Sequence, residues 1–306
     1  MPLEQKPINE NTFHLAGIVP VAGQPLDYNF PWHDCMMPIA PNYLAVERAV
    51  LECVFAGCET IWLVCNDDMQ PLIRHRLGDF VYDPVFTGRK YSPVPTDERK
   101  PITIYYVPIH PKDRDKRDCL AWSVLYGALT AYHISNFISK WVIPDRYYVA
   151  FPYGVYDPEI LRKHRKDISS RRDFYLSYQG KSVCDGEYAG FTFDEAGFFK
   201  YRDIIRQEGT GEKVPGQAQE DGIPKKKLPL QERWSARFFS LDKVFKSDKL
   251  KEAVKVELPW YRRIDSWKTF CDYAGSSDSQ KIFRPAKCIL SYQEWNPIGV
   301  DNERPR

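Results

Sequence analysis

The sequence predicts an α/β protein, with a mostly parallel, doubly wound sheet in residues 14 to 165 and a mixed, hairpin-rich second half in residues 166 to 275. Three observations predict it. Apolar runs of strand length alternate with stretches of helical period through the first half. Turn and cap residues fall between these runs, at the ends where the backbone needs them. After residue 166 the apolar spacing changes to period 2 and is punctuated by glycines, the pattern of antiparallel pairs.

The first strand is Ala16 to Val21, closed by Ala22-Gly23, where glycine permits a tight turn. A Pro- and aromatic-rich loop leads to Trp32-His33-Asp34. Asn42 then stands where a helix N-cap would, and Val46, Val50, Cys53 and Val54 recur at helical spacing before Gly57. Thr60 to Cys65 is a second, β-branched strand, ended by Asn66-Asp67-Asp68. Strand, helix and strand of these lengths make a βαβ unit whose right-handed crossover renders its strands parallel. Ligands of such sheets bind beyond the carboxyl ends of the strands. Asp68 to Gly78 has the spacing of a helix, with Arg74, His75 and Arg76 on its solvated face. Phe80 to Lys100 shows no periodicity and reads as a long loop, either packed on the surface or a lid.

Ile102 to Ile109 is the third strand. The charged run Lys112 to Asp118 follows, and then a helix with the apolar stripe Leu120, Val124, Leu125, Leu129 and Tyr132. Ala121, Gly127, Ala128 and Ala131 are small enough to let that helix pack closely. Arg146 to Phe151 is the fourth strand, and Asp157 stands where it can cap the next helix. In the second half, hairpin turns are expected at Gln179-Gly180, Asp185-Gly186 and Ala196-Gly197. Residues 208 to 228 form a Gly/Pro/Gln/Lys insertion, and Ser235 to Phe239 reads as a strand. A short helix begins at Leu241, and Val254 to Leu258 is a further strand. One domain is expected over residues 1 to 275, with a tail over 276 to 306 packed on it.

The order of these parts resembles the sugar-1-phosphate nucleotidyltransferases, the NDP-sugar pyrophosphorylases. Met36-Met37-Pro38-Ile39 matches that family's apolar run, Ala56-Gly57 its helix end, and Glu187 to Gly197 (EYAGFTFDEAG) its hairpin over the sugar. The resemblance implies a three-layer, GT-A-like, Rossmann-related nucleotidyltransferase fold. It implies binding of a nucleoside triphosphate and a sugar phosphate, with Mg²⁺ and release of pyrophosphate. It places Ala22, Gly23 and Gln24 at the phosphate loop, and His110, Asp118, Leu120 and Ala121 where the nucleotide base is held. Tyr153, Glu187 and Gly190 fall on the substrate side, and Asp157 and Asp265 are the carboxylates left for a metal. The chain also resembles nucleotidyltransferase-like proteins of tailed phages.

The family's charges are not where they belong. The loop that ends in Arg reads Val21-Ala22-Gly23-Gln24-Pro25, the lysine falls on Asp34, and the two metal-holding Asp positions fall on Tyr153 and Arg263. Nucleotidyl transfer gathers negative charge in its transition state and needs cations there. Either His33, Asp34, Asp27, Arg114 and Arg117 supply the chemistry, or the fold is kept without the activity. His33, carrying a positive charge beside Asp34, is the side chain expected to face the α-phosphate. The bland alternative makes Trp32-His33-Asp34 a packed loop corner. A GT-A glycosyltransferase acting on an NDP-sugar ranks lower, because the only Asp-x-Asp, Asp113-Arg114-Asp115, follows the third strand and not the fourth.

Composition narrows the classes. A chain of 306 residues with 43% hydrophobic and 14% aromatic residues can bury a sizeable core. A net charge of +2 disfavours nucleic acid as a partner. There is no apolar run long enough for a membrane span, and the N-terminal stretch reads as a polar arm. The eight cysteines form no C-x-x-C pair, so they are expected to be reduced and structural in a cytoplasmic protein, with a homo-oligomer left open.

Overall fold

The computed structural model describes residues 13–23, 29–82, 101–110, 113, 119–209, 240–246 and 252–285, without the side chains of 141 and 206–209. Its centre is an eight-stranded sheet. The strands are β1 (Leu15–Pro20), β4 (Thr60–Cys65), β5 (Phe80–Tyr82), β6 (Pro101–Pro108), β7 (Arg146–Val149), β9 (Phe174–Ser177), β10 (Phe191–Phe193) and β11 (Val254–Glu257). Across the sheet the order is β11-β9-β10-β7-β1-β4-β6-β5. The pairs β7/β1, β1/β4, β4/β6 and β11/β9 are parallel, and β10 and the edge strand β5 run against the rest. Two small ribbons lie outside it, β2 (Pro38–Ala40) with β3 (Tyr43–Leu44), and β8 (Gly154–Val155) with β12 (Arg262–Arg263).

The helices are α1 (Ala45–Ala56), α2 (Gln70–Leu77), α3 (Leu120–Ile138), α4 (Arg165–Ile168), α5 (Glu195–Gly209), α6 (Leu241–Val244) and α7 (Trp267–Ala274). Successive strand residues point to opposite faces, and β1 uses this directly. A Cβ on Gly17 would meet Cys53 of α1, while Ile18 lies against Gly127 of α3. The two helices therefore cover opposite faces of the sheet, which gives three layers. Gly127 also lies against Val64, so α3 seats directly on β1 and β4.

Helix α1 departs from the amphipathic pattern. All twelve of its residues are buried, Glu47, Arg48 and Glu52 included. Arg48 Nη1 donates to Glu52 Oε2 at 2.8 Å and Nη2 to the Phe151 carbonyl at 2.5 Å. The hydroxyls of Tyr148 and Tyr156 donate to Glu52 Oε1 at 2.7 and 2.5 Å. Burial pushes the Glu52 carboxyl above its ordinary range, against the pull of Arg48 and the two hydroxyls. Gly190 belongs to this packing, because a Cβ there would overlap the Tyr148 hydroxyl. Glu47 accepts from Leu44 N and pairs with Arg76 at 3.0 Å.

Several expectations are corrected here. The N-cap of α1 is Leu44; Asn42, with φ 54°, turns the chain between β2 and β3. Arg76 is half-buried against Glu47 and is not on a solvated face. The start of the expected loop at Phe80 is an edge strand, and residues 83–100 lie outside the described residues. After Asp157 the chain forms a 3-10 turn over Pro158–His164 before the short α4. Ala196-Gly197 lies inside α5, while Gln179-Gly180 is a true tight turn, with φ of 51° and 75° between the bridged Tyr178 and Lys181. The seven cysteines among the described residues are all free thiols. The insertion beyond 209, the strand at 235–239 and the tail from 286 lie outside the described residues.

Candidate functional site

The carboxyl ends of β1, β4, β6 and β7 open on one edge of the sheet, and the chain leaving β1 is pinned there. The amides of Val21 and Ala22 both donate to the Val64 carbonyl, at 2.9 and 3.0 Å, and the Ser123 hydroxyl donates to the Ala22 carbonyl. Gly23 has φ 82°, and a Cβ on it would lie 2.5 Å from the carbonyl carbon of Cys119. The turn Ala22-Gly23 is thus laid directly on the first turn of α3, whose N-cap is Cys119 and whose next residues, Leu120 and Ala121, are buried beneath it. Of the residues expected to hold a nucleotide, these four are brought together. His110 lies two residues beyond β6 and is exposed; Gln24, Asp118, Arg117 and Asp27 lie outside the described residues, as do Arg114 and Asp115 of the Asp-x-Asp.

Below this turn is the corner at His33. A 3-10 turn over Asp34–Met36 coils the chain so tightly that His33, Asp34 and Cys35 face one another. Asp34 Oδ1 accepts from Cys35 N at 2.7 Å, stands 2.9 Å from His33 Nδ1, and is 3.4 Å from the Tyr153 hydroxyl. That hydroxyl also reaches the Val21 carbonyl at 3.2 Å, so Tyr153 ties the corner to the loop after β1. Burial, and then the Asp34 charge, push the Tyr153 phenol far up, which keeps it a proton donor. The Cys35 thiol is raised by the same two causes. The Asp34 side chain is only 1% exposed, and its Oδ2 has no hydrogen-bond partner among the described residues. Trp32 remains 41% exposed, edge-on to Trp267 and Phe270 of α7.

The ribbon of β8 and β12 brings the second half to the same edge. Arg263 pairs in register with Gly154, and Ile264 N donates to the Tyr153 carbonyl at 2.9 Å. Tyr153 and Arg263 are therefore close neighbours. Arg263 is bound to Asp265 at 2.6 Å and lies over the Tyr188 ring at 4.8 Å. Burial works most strongly against its charge, but Asp265, Tyr188 and Tyr261 together outweigh it and hold the guanidinium above its usual value. Beside it opens a cavity of about 320 Å³ lined by Tyr178, Lys181, Glu187, Tyr261, Arg263 and Asp272 among others. Tyr261 accepts from Tyr188 N at 3.0 Å, and burial followed by Glu187 raises its phenol.

The carboxylates set aside for a metal do not converge. Asp157 is exposed and accepts from Glu159 N at 2.9 Å as a cap, and Asp265 is taken by Arg263. Mg²⁺ requires a near-octahedral set of oxygens. A protonated phenol and a guanidinium at adjacent strand ends do not provide one, so these residues do not fit Mg²⁺. Of the cavity's lining, Glu187 and Arg263 stand out in the sequence; Tyr178, Lys181, Tyr261 and Asp272 do not, although Gln179-Gly180 marks the turn that carries the first two. Cys35 reads from sequence as a packing residue, although it completes the triplet His33-Asp34-Cys35.

No family model matches this sequence, and no curated protein does. Solved structures do match. A structure assigned as a glucose-1-phosphate thymidylyltransferase from Bacillus anthracis, in complex with a sucrose, is 10% identical with a TM-score of 0.51 and covers 89% of this chain and 98% of its own. A UDP-glucose pyrophosphorylase complexed with UDP-glucose is 11% identical with a TM-score of 0.50, covering 88% and 100%. At such identities the likeness is one of fold, and the chain has the fold of these nucleotidyltransferases. Among the described residues no helix is long and apolar enough to cross a membrane.

Proposed function

We propose that the protein is a divergent nucleotidyltransferase, which binds a nucleoside triphosphate at the Ala22-Gly23 turn and a sugar phosphate on the side of Glu187 and Arg263, and releases pyrophosphate. The observation that supports it is the frame itself. The turn after β1 is locked onto the start of α3, and the corner at His33 is tied to it through Tyr153. In-line displacement needs its partners held within about 3 to 3.5 Å before any chemistry begins, and this is the arrangement that would hold them. His33, set against Asp34, is the group assigned to the α-phosphate, with Arg114 and Arg117 as further phosphate donors. Any Mg²⁺ in this reading arrives on the triphosphate and not on protein carboxylates.

A coupled pyrophosphate assay over NTP and sugar-1-phosphate pairs tests it. Wild type is expected to release pyrophosphate with at least one pair, and His33→Ala to lose about a hundredfold or more in rate with its melting temperature nearly unchanged. A second reading, a binding protein on a nucleotidyltransferase scaffold, draws on the neighbouring Tyr153 and Arg263, which supply no metal oxygens. Wild type silent with every pair, and stabilised by none of the nucleotides in a thermal-shift panel, would leave that second reading standing.

A further inference from the structure

We propose that His33, Asp34 and Cys35 bind one divalent ion of the zinc class, at the corner that Tyr153 ties to the loop after β1. The 3-10 turn places an imidazole nitrogen, a carboxylate oxygen and a thiol sulfur within 4.8 Å of one another. Donors around a tetrahedral Zn²⁺ stand roughly 3.3 to 3.6 Å apart, given bonds of about 2.0 to 2.3 Å. His33 Nδ1 and Asp34 Oδ1, at 2.9 Å, need only to open slightly, and the widest separation must close by about an ångström. The independent sign of an occupant is Asp34 Oδ2. An oxygen of an almost fully buried carboxylate with no hydrogen-bond partner among the described residues carries its desolvation cost. A cation removes that cost.

Mixed nitrogen, oxygen and sulfur donors select a borderline-soft ion and reject Mg²⁺ and Ca²⁺, which take oxygen. Three protein ligands leave a fourth position open, as in zinc sites that act on a substrate. The Tyr153 hydroxyl, 3.4 Å from Asp34 Oδ1 and anchored on Val21, acts from outside the ligand set to fix the carboxylate. The ion's use toward a phosphate rests on the nucleotidyl-transfer reading above, and refines it. The positive charge missing from the loop and from position 34 is then supplied by the metal, with His33 neutral as one of its ligands.

The test is titration of the full-length, reduced, chelator-stripped protein with Co²⁺. One equivalent is expected to bind with a thiolate-to-cobalt charge-transfer band that Zn²⁺ displaces and Mg²⁺ does not. Cys35→Ser removes the band, His33→Ala weakens binding by about tenfold or more, and Cys271→Ser, at an exposed thiol, changes neither. Because Cys35 is buried and its variant can misfold, zinc-edge absorption on the wild type provides a second measurement. One sulfur with nitrogen or oxygen neighbours supports the site; a shell of sulfur alone, or without sulfur, overturns it. No stoichiometric band, or a band that survives Cys35→Ser in a folded variant, also overturns it. Cobalt binding without pyrophosphate release refutes the transfer reading and leaves this site standing; pyrophosphate release without cobalt binding does the reverse.

Discussion

Glu52→Gln is expected to lower stability by about 3 to 5 kcal/mol, the cost of leaving a buried charge without its partner. The structure explains why the full cost applies. Arg48 and Glu52 are both 0% exposed, so no water can take over the guanidinium. Gln keeps the length of Glu and an oxygen for the hydroxyls of Tyr148 and Tyr156, so the change isolates the charge from the packing. For a chain of this size about 2 °C of melting temperature corresponds to each kcal/mol, which gives a fall of about 6 to 10 °C by calorimetry. Arg48→Met should cost less, because burial already pushes the Glu52 carboxyl upward and lets it take a proton once the cation is gone. The double variant should then be more stable than the sum of the two losses allows, by roughly 1 to 3 kcal/mol. Strict additivity, or Glu52→Gln melting within a degree of wild type, would refute the view that α1 is held by this pair.

Gly23→Ala is expected to lower the melting temperature and to weaken any nucleotide-induced stabilisation, because its Cβ would collide with the backbone at Cys119 and force the turn off α3; overpacking of this kind costs about 1 to 3 kcal/mol, readable by thermal shift with and without nucleotide. Asp278 is held below the ordinary carboxylate range by its hydrogen bonds to Lys281 and Arg262. Its contribution is present above the unfolded value of about 4 and lost as pH falls through the lower folded one, so wild type and Asp278→Asn should melt apart at neutral pH and converge in acid. Tyr153→Phe should leave the melting temperature within a few degrees of wild type but lower Co²⁺ affinity, since it removes only the hydroxyl between Asp34 and Val21.

Much of the fold was legible because it rests on local patterns. The βαβ unit could be read from strand-length runs at 16–21 and 60–65, and the observed β1 and β4 differ from them by little at the ends. The errors came where tertiary contacts override local pattern. Asn42 looked like a cap because its side chain suits one; the chain uses it instead for a left-handed turn that only a β2/β3 ribbon requires. Glu47, Arg48 and Glu52 lie outside the apolar positions Val46, Val50, Cys53 and Val54 that mark α1 in the sequence, yet all three are buried. Their partners, Arg76, Phe151, Tyr148 and Tyr156, lie up to about a hundred residues away, beyond what a helical window can show.

The site was legible to the extent that its positions could be aligned, and no further. Ile264 N reaches the Tyr153 carbonyl and Arg263 pairs with Gly154, so Tyr153 and Arg263 stand at adjacent strand ends. They offer a phenol and a guanidinium, not carboxylates. Charge balance then points away from that pair and toward Asp34, whose buried Oδ2 has no hydrogen-bond partner among the described residues. Cys35 could not be assigned from sequence, because a buried thiol is the commonest kind of packing residue. Only the 3-10 turn, which sets its sulfur near His33 and Asp34, gives it a second meaning.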